Sequence, residues 1–284
     1  MFNDLEESMS FPDINDSFVK QFESEAHMEY QQMGSKLRNT IRTKAGIAGE
    51  STTFQVIGNV DVGTKARNGK VPRSEASHAP VEVTLQDRYA SVMIDDLDEL
   101  KIQHDERGVQ AKNIAAAMGK DTDDIILTAM DASGNSNNVS TAETFSAAAT
   151  AIGIMEDFGN ASIPFDGELY ACVCWEAWGD LLDLDEFSNA DYVQSEQLWF
   201  EGVTAKKWLG FNWFPHENLP VDGSSDAKNF YYHRSSVGHA IGQDYSQRID
   251  YLAEYDSNQV LAKMSHGAGL IDDTGCIERV YNSA

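Results

Sequence analysis

The side chains able to do chemistry are few in this sequence, carboxylates excepted. Three cysteines occur, Cys172, Cys174 and Cys276. A structural zinc site wants four ligands, usually two pairs at C-x2–4-C spacing. Cys172-x-Cys174 lies in an apolar strand-like run, where alternation places both thiols on one face, and only Cys276 remains as a partner. Buried free thiols are the expectation. His216, His233, His239 and His266 are scattered through strand and turn regions, with no H-E-x-x-H or comparable signature joining them. With 46 Asp and Glu residues, some pair will always resemble a general acid and base, so such pairs carry no information. The glycines at 58 and 63, and at 238 and 242, do not form phosphate loops, and no G-x-S-x-G elbow is present. The five tryptophans sit at helical or strand spacing and read as core anchors. No catalytic residue, metal site or cofactor is expected.

Charge narrows the partners. Only 21 Lys and Arg oppose those carboxylates, leaving a formal net charge of −25. So anionic a surface repels phosphate, which argues against tight sequence-independent nucleic-acid binding and against anionic membranes. The odd cysteine count points to a reducing compartment. The start, Met1-Phe2-Asn3-Asp4-Leu5-Glu6-Glu7, lacks the basic and apolar runs of a signal peptide, and no stretch approaches the ~18 apolar residues that span a bilayer. A cytoplasm-like compartment is the expectation. At 284 residues the chain suits about two domains on the usual ~100–200 residues each.

The elements that would position these groups follow from periodicity. Residues 1–16 read as a flexible acidic arm. Phe18, Phe22, Ala26, Tyr30, Met33 and Leu37 recur at helical spacing, with Gly46 and Gly49 ending that segment. Residues 52–62 and 81–94 alternate and are β-branched, as two long strands of an extended hairpin. The polar loop between them carries Lys65, Arg67, Lys70 and Arg73, a local cluster of cations in a chain poor in them. It reads either as a solvated turn or as a basic finger laid on an acidic neighbour, where charge complementarity would fix register. Asp95, Asp96, Asp98 and Glu99 follow the second strand as a candidate acidic counter-surface.

Residues 105–132 predict one helix of roughly 40 Å at ~1.5 Å per residue, with Val109, Ala116, Ile126 and Met130 near one face. A second helix is expected to open at residues 140–143 with Thr141 as cap. A buried strand over 169–174, a helix over 175–187 with Trp175 and Trp178 facing in, and a strand over 208–214 come next. Asn229 to Tyr232 is a strand, and closing strands are expected near 249–255, 260–266 and 276–281, with Gly267 and Gly269 in turns.

This order of elements resembles the major capsid proteins of tailed bacteriophages. Residues 52–94 look like that family's extended E-loop hairpin, and residues 105–132 like its spine helix. Ile163-Pro164-Phe165-Asp166-Gly167 and Trp208-Leu209-Gly210-Phe211 are similar to stretches of its axial domain, and residues 263–280 to its closing hairpin. The resemblance implies an α+β Hong Kong 97-type capsid fold. Its parts would be an N-terminal arm and helix over 1–50, the E-loop over 51–95, the peripheral-domain spine over 96–137, the axial domain over 138–245 and closing peripheral-domain strands over 246–284. It further implies a non-enzymatic shell subunit, forming hexamers and pentamers of itself around phage double-stranded DNA without binding that DNA tightly. A separate scaffolding protein and a portal protein are implied partners, with room for a decoration protein. The location implied is the virion capsid, assembled in the host cytoplasm. A same-fold alternative is an encapsulin-like nanocompartment shell. An alternative of another class is a small-molecule enzyme with the hairpin as a flap over the strand of Cys172 and Cys174.

Overall fold

The protein is described by a computed structural model covering residues 32, 34–99, 101–102, 105–132, 139–188 and 205–282, with the side chains of residues 139–142 left aside. The arm expected over residues 1–16, and the body of the helix expected to follow it, lie outside the described residues. From Gly34 the chain runs in turns and bends, then enters β1 (Arg42–Ala45), so the segment expected to stay helical to Gly46 is a strand at that end.

The hairpin forms as β2 (Ser51–Ile57) against β3 (His78–Thr84), antiparallel, with Ser51 opposite Thr84 and Ile57 opposite His78. It is shorter than its predicted span. The chain breaks at Leu85 and begins β4 (Gln86–Asp95), which leaves the hairpin for another sheet. After the short α1 (Asp96–Glu99) comes α2 (Glu106–Asp131), the long helix legible in the sequence. Asp105 caps it, its carboxylate accepting from the Gly108 N–H at 3.1 Å and satisfying one of the unpaired amides of the first turn. Residues 139–143 form β5 (Val139–Glu143), not a helix start. The helix α3 (Ala148–Asn160) opens later, at Ala147 without a side-chain cap.

The remaining elements are β6 (Leu169–Val173), α4 (Trp175–Asp183), α5 (Asp185–Ser188), β7 (Lys206–Trp208), β8 (Phe211–Pro215), β9 (Ala227–His233), β10 (Val237–Leu252), β11 (Ser257–Leu270) and β12 (Cys276–Tyr281). The single strand expected over 208–214 is a tight hairpin. Leu209 and Gly210 both have positive φ, the geometry that matches strand twist in a two-residue turn. Gly267 and Gly269 lie inside β11, where Gly267 passes so close to the Thr84 carbonyl that any side chain would collide with it. Trp175, expected to face in, is half exposed.

Two sheets and a hairpin organise the chain. A four-stranded sheet has the order β1-β10-β11-β4, dominated by the long antiparallel β10–β11 ribbon. A six-stranded sheet has the order β5-β12-β9-β6-β8-β7. The expected boundary at 245/246 therefore falls inside β10, and β12 joins the six-stranded sheet beside β9 and β5 instead of the ribbon. The helix α2 spans both. Ile114 and Met118 pack on Ile94, Val260, Ala262 and Met264 of the ribbon sheet. Ile126, Leu127 and Met130 pack on Cys172, Phe230 and Tyr232 of the other sheet. The opposite face of the six-stranded sheet carries an aromatic core of Phe158, Phe187, Phe211, Trp213 and Tyr231, covered by α3 and α4.

Candidate assembly interface

The hairpin is anchored at its base and free at its tip. Phe54 and Val83 pack on Ala240 and Ile271, and the Leu85 N–H donates to the Glu50 carbonyl at 2.8 Å. From residue 58 to residue 77 no side chain is buried. The reversal is a turn at residues 66–69, closed by the Gly69 N–H on the Ala66 carbonyl at 2.9 Å, with Asn68 at positive φ. Lys65, Arg67, Lys70 and Arg73 surround this turn, all exposed, and form no ion pair among the described residues. The sequence reading missed the apolar side chains beside them: Ile57, Val60 and Val71 are exposed and Val62 is 98% exposed. The signal was present as β-branched residues continuing beyond the paired part of the hairpin.

The four candidate acids lie at the junction of β4 and α1 and have duties in their own subunit. The Asp95 carboxylate accepts from the Leu97 N–H at 2.9 Å, and Asp96 accepts from the Asn258 amide at 2.8 Å. Arg107 pairs with Glu99 at 2.5 Å, and Lys101 with Asp98 at 2.8 Å. The two ion pairs lie at the surface, where solvent screens them. Leu97, Tyr251 and Tyr255 are exposed, on α1 and at the nearby end of the β10–β11 ribbon. Tip and counter-surface are both on the outside of one subunit and do not touch each other.

The groups set aside from chemistry are accounted for by packing. Cys172 and Cys174 do not share a face: Cys172 packs under α2, while Cys174, past the end of β6, caps α4 and joins the aromatic core. Both are buried, as is Cys276, and burial pushes all three thiols up, Cys276 to about 12. The lid over Cys172 is α2, and the hairpin packs elsewhere, so the flap of the enzyme alternative has no counterpart. Asp166, Glu168 and His233 bring three potential metal-ligand atoms within 4.8 Å. The Ser235 N–H donates to His233 Nδ1, however, which leaves the proton on Nε2, directed at Asp166, and Arg234 takes Glu168 at 3.0 Å. That arrangement is a hydrogen bond from His233 to Asp166 beside an Arg234–Glu168 ion pair.

All four of the scattered histidines are buried. His239 Nε2 lies 3.1 Å from His266 Nδ1, and His266 Nε2 lies 3.6 Å from the Asp121 carboxylate of α2. On the other side of the same helix His216 Nε2 lies 3.1 Å from Asp123. Less than one turn of the helix, from Asp121 to Asp123, thus grips both sheets by imidazole–carboxylate contacts, a pairing invisible in sequence because the partners are far apart along the chain.

Residues 14–281 match the sequence model of the family described as phage capsid protein. The chain belongs to the phage capsid protein family. No functionally curated protein sequence matches it. Its fold is similar to the capsid structure of the cyanophage P-SCSP1u, at 14% identity over 97% of this chain and 96% of that one, with a TM-score of 0.73. It is similar also to the capsid asymmetric unit of the cyanophage Pam1 (15% identity, 97% and 99% covered, TM-score 0.71) and to a chain of Mycobacterium phage Che8 (16%, 92% and 97%, 0.69). The α+β Hong Kong 97-type architecture expected from the order of elements is therefore the fold of this phage capsid protein, and its long helix and free hairpin are the parts that stand out from the two sheets.

Proposed function

We propose that this chain is the major shell subunit of a tailed phage, assembling with copies of itself into hexamers and pentamers that enclose double-stranded DNA. The observation that carries this reading is the hairpin of β2 and β3, fixed at Phe54 and Val83 yet with no buried side chain from residue 58 to residue 77. A monomeric protein gains nothing from a bare, partly apolar finger, whereas a repeated subunit can lay it on a neighbour and extend head-to-tail contacts that close into rings. Lys65, Arg67, Lys70 and Arg73 would set the register against Asp95, Asp96, Asp98 and Glu99 of the next copy. The exposed valines of the tip and Leu97, Tyr251 and Tyr255 of the acceptor would supply the apolar contact. Lys101 and Arg107 would have to share their carboxylates on docking, which keeps each contact weak and reversible, as closed shells need.

In this reading a separate scaffolding protein, a portal and, in some shells, a decoration protein act with the subunit in the host cytoplasm, and the finished location is the virion. The parts over 1–50, 51–95, 96–137, 138–245 and 246–284 serve as arm, E-loop, spine, axial domain and closing strands, with β12 returning to the six-stranded sheet. The charge of −25 supports a wall that lies beside DNA without adhering to it. Negative-stain microscopy of the expressed protein, with and without its scaffold, tests the proposal. Shells or hexameric and pentameric capsomers are expected, and a uniform monomer or dimer under both conditions would refute it.

A further inference from the structure

The Asp123 carboxylate sits where three parts of the subunit meet, and it is almost wholly buried. From the arm root it accepts hydrogen bonds from Gln32 Nε2, Ser35 Oγ, and the backbone N–H groups of Lys36 at 3.0 Å and Leu37 at 3.1 Å. From the loop after β8 it receives His216 Nε2 at 3.1 Å. Asn218 N–H donates to His216 Nδ1 at 3.1 Å, which assigns the ring's remaining proton to Nε2, pointing at the carboxylate. The anion is held by five donors, and no Lys or Arg side chain pairs with it among the described residues. Burial alone would raise its pKa, but the bonds from His216, Ser35, the Lys36 N–H and Gln32 outweigh that and hold the carboxyl below its ordinary range.

An anion kept in this way depends on the whole set of donors. Each bond to a charged group is strong in a dry site, and each lost donor leaves the carboxylate less well solvated. Opening the arm root lets water replace the missing donor, so loss of a donor on the sheet side favours opening on the arm side. We infer that Asp123 is a coupling node that makes the hold on the arm root, Gln32 and residues 34–37, depend on the His216 loop of the six-stranded sheet. A shift of the sheet against the spine would loosen or tighten the arm through Asp123, in addition to the direct packing of Leu37 in the core that holds Cys172, Phe230 and Tyr232. The inference does not depend on the shell reading: a chain that formed no particles would still show the coupling.

Hydrogen exchange at single-amide resolution on the full chain, in whichever assembled form it adopts, tests it. No hydrogen bond joins His216 to residues 32 and 34–37 among the described residues, and Asp124 holds Asn218, so the loop has a second tether when His216 is removed. In His216→Ala the amides of Lys36 and Leu37 should exchange about tenfold faster or more, as expected for one charge-assisted bond. Amides of β11 should be unchanged. His216→Gln, whose side-chain amide can donate, should restore protection. Unchanged exchange at Lys36 and Leu37, or the same acceleration throughout β11, would overturn the inference. Should His216→Ala fail to fold, Ser35→Ala reads the coupling from the other end: the Asn218 amide must then exchange faster, and no change there overturns it equally.

Discussion

Gly119 of α2 faces the backbone of Gly34 so closely that a Cβ at position 119 would lie 2.6 Å from both the Cα and the carbonyl carbon of Gly34. The arm root therefore crosses the long helix in contact with its backbone, and the crossing point is one turn before Asp123.

In an ordinary helix interior Gly→Ala stabilises by ~1 kcal/mol. At position 119 the new methyl meets main chain, which cannot rotate away, and overpacking of that kind costs about 1–3 kcal/mol. Gly119→Ala should lower stability in a denaturant titration, while Gly153→Ala in α3, with no atom near its Cβ, should raise it. Equal effects of the two substitutions would contradict the crossing.

The hairpin tip makes a second prediction. Reversing Lys65, Arg67, Lys70 and Arg73 together to Glu breaks no ion pair among the described residues, where none of the four is paired. Assembly should fail or slow markedly at low ionic strength, with melting of the unassembled subunit unchanged. Shells of normal yield and shape, seen by microscopy and sedimentation, would reject tip docking by charge. Replacing Val62 and Val71 by Ser tests the apolar share, which salt should not rescue.

Acid sensitivity follows from the buried histidine pair. Burial, with His266 beside it on β11 and Arg38 nearby, lowers His239 to about 4, against Asp244 on its own strand and Asp123 on α2, which favour the charged ring. Burial lowers His266 too, and Arg88 adds to this, while Asp121 opposes it. A histidine depressed on folding binds its proton more readily when unfolded. The stability it contributes is complete above about 6.5, its ordinary value, and drains as pH falls from there toward about 4. The melting temperature should drop across that window, and less steeply in His239→Gln. Identical pH slopes would show that the pair does not report acid.

Thiol chemistry offers a simple check of packing. Cys172, Cys174 and Cys276 are buried and their thiols are driven away from the reactive thiolate. An aromatic disulfide reagent should label none in the folded subunit and all three after denaturation. Rapid labelling of Cys174 alone would mean that α4 opens locally.

What the sequence disclosed depended on the range of the interactions involved. The spine helix was legible to within a residue at each end because its cap, Asp105, and its alanine-rich body are local signals. Ser140-Thr141-Ala142-Glu143 misled for the same reason: it has the composition of a helix start, yet pairing with β12, far along the chain, makes it a strand. Leu209-Gly210 hid a turn, since a leucine at positive φ is not anticipated from propensity. Cys174 departed from strand alternation because the strand had already ended at Val173. The basic tip could be read from charge, whereas the duties of Asp96, Asp98 and Glu99 toward Asn258, Lys101 and Arg107 could not. Nothing local distinguishes Asp123 from its many acidic neighbours, because its donors come from the arm and from a loop beyond β8.

The placement of β12 has a consequence for biosynthesis. Residues 276–281 are translated late, yet they fill the slot between β5 and β9 inside the six-stranded sheet. Until they emerge from the ribosome, β9 presents an open edge of unpaired amides and carbonyls, the kind that recruits foreign strands. The nascent polypeptide is thus most prone to aggregate during the interval between making β9 and making β12, and a chaperone that shields that edge would act in this window.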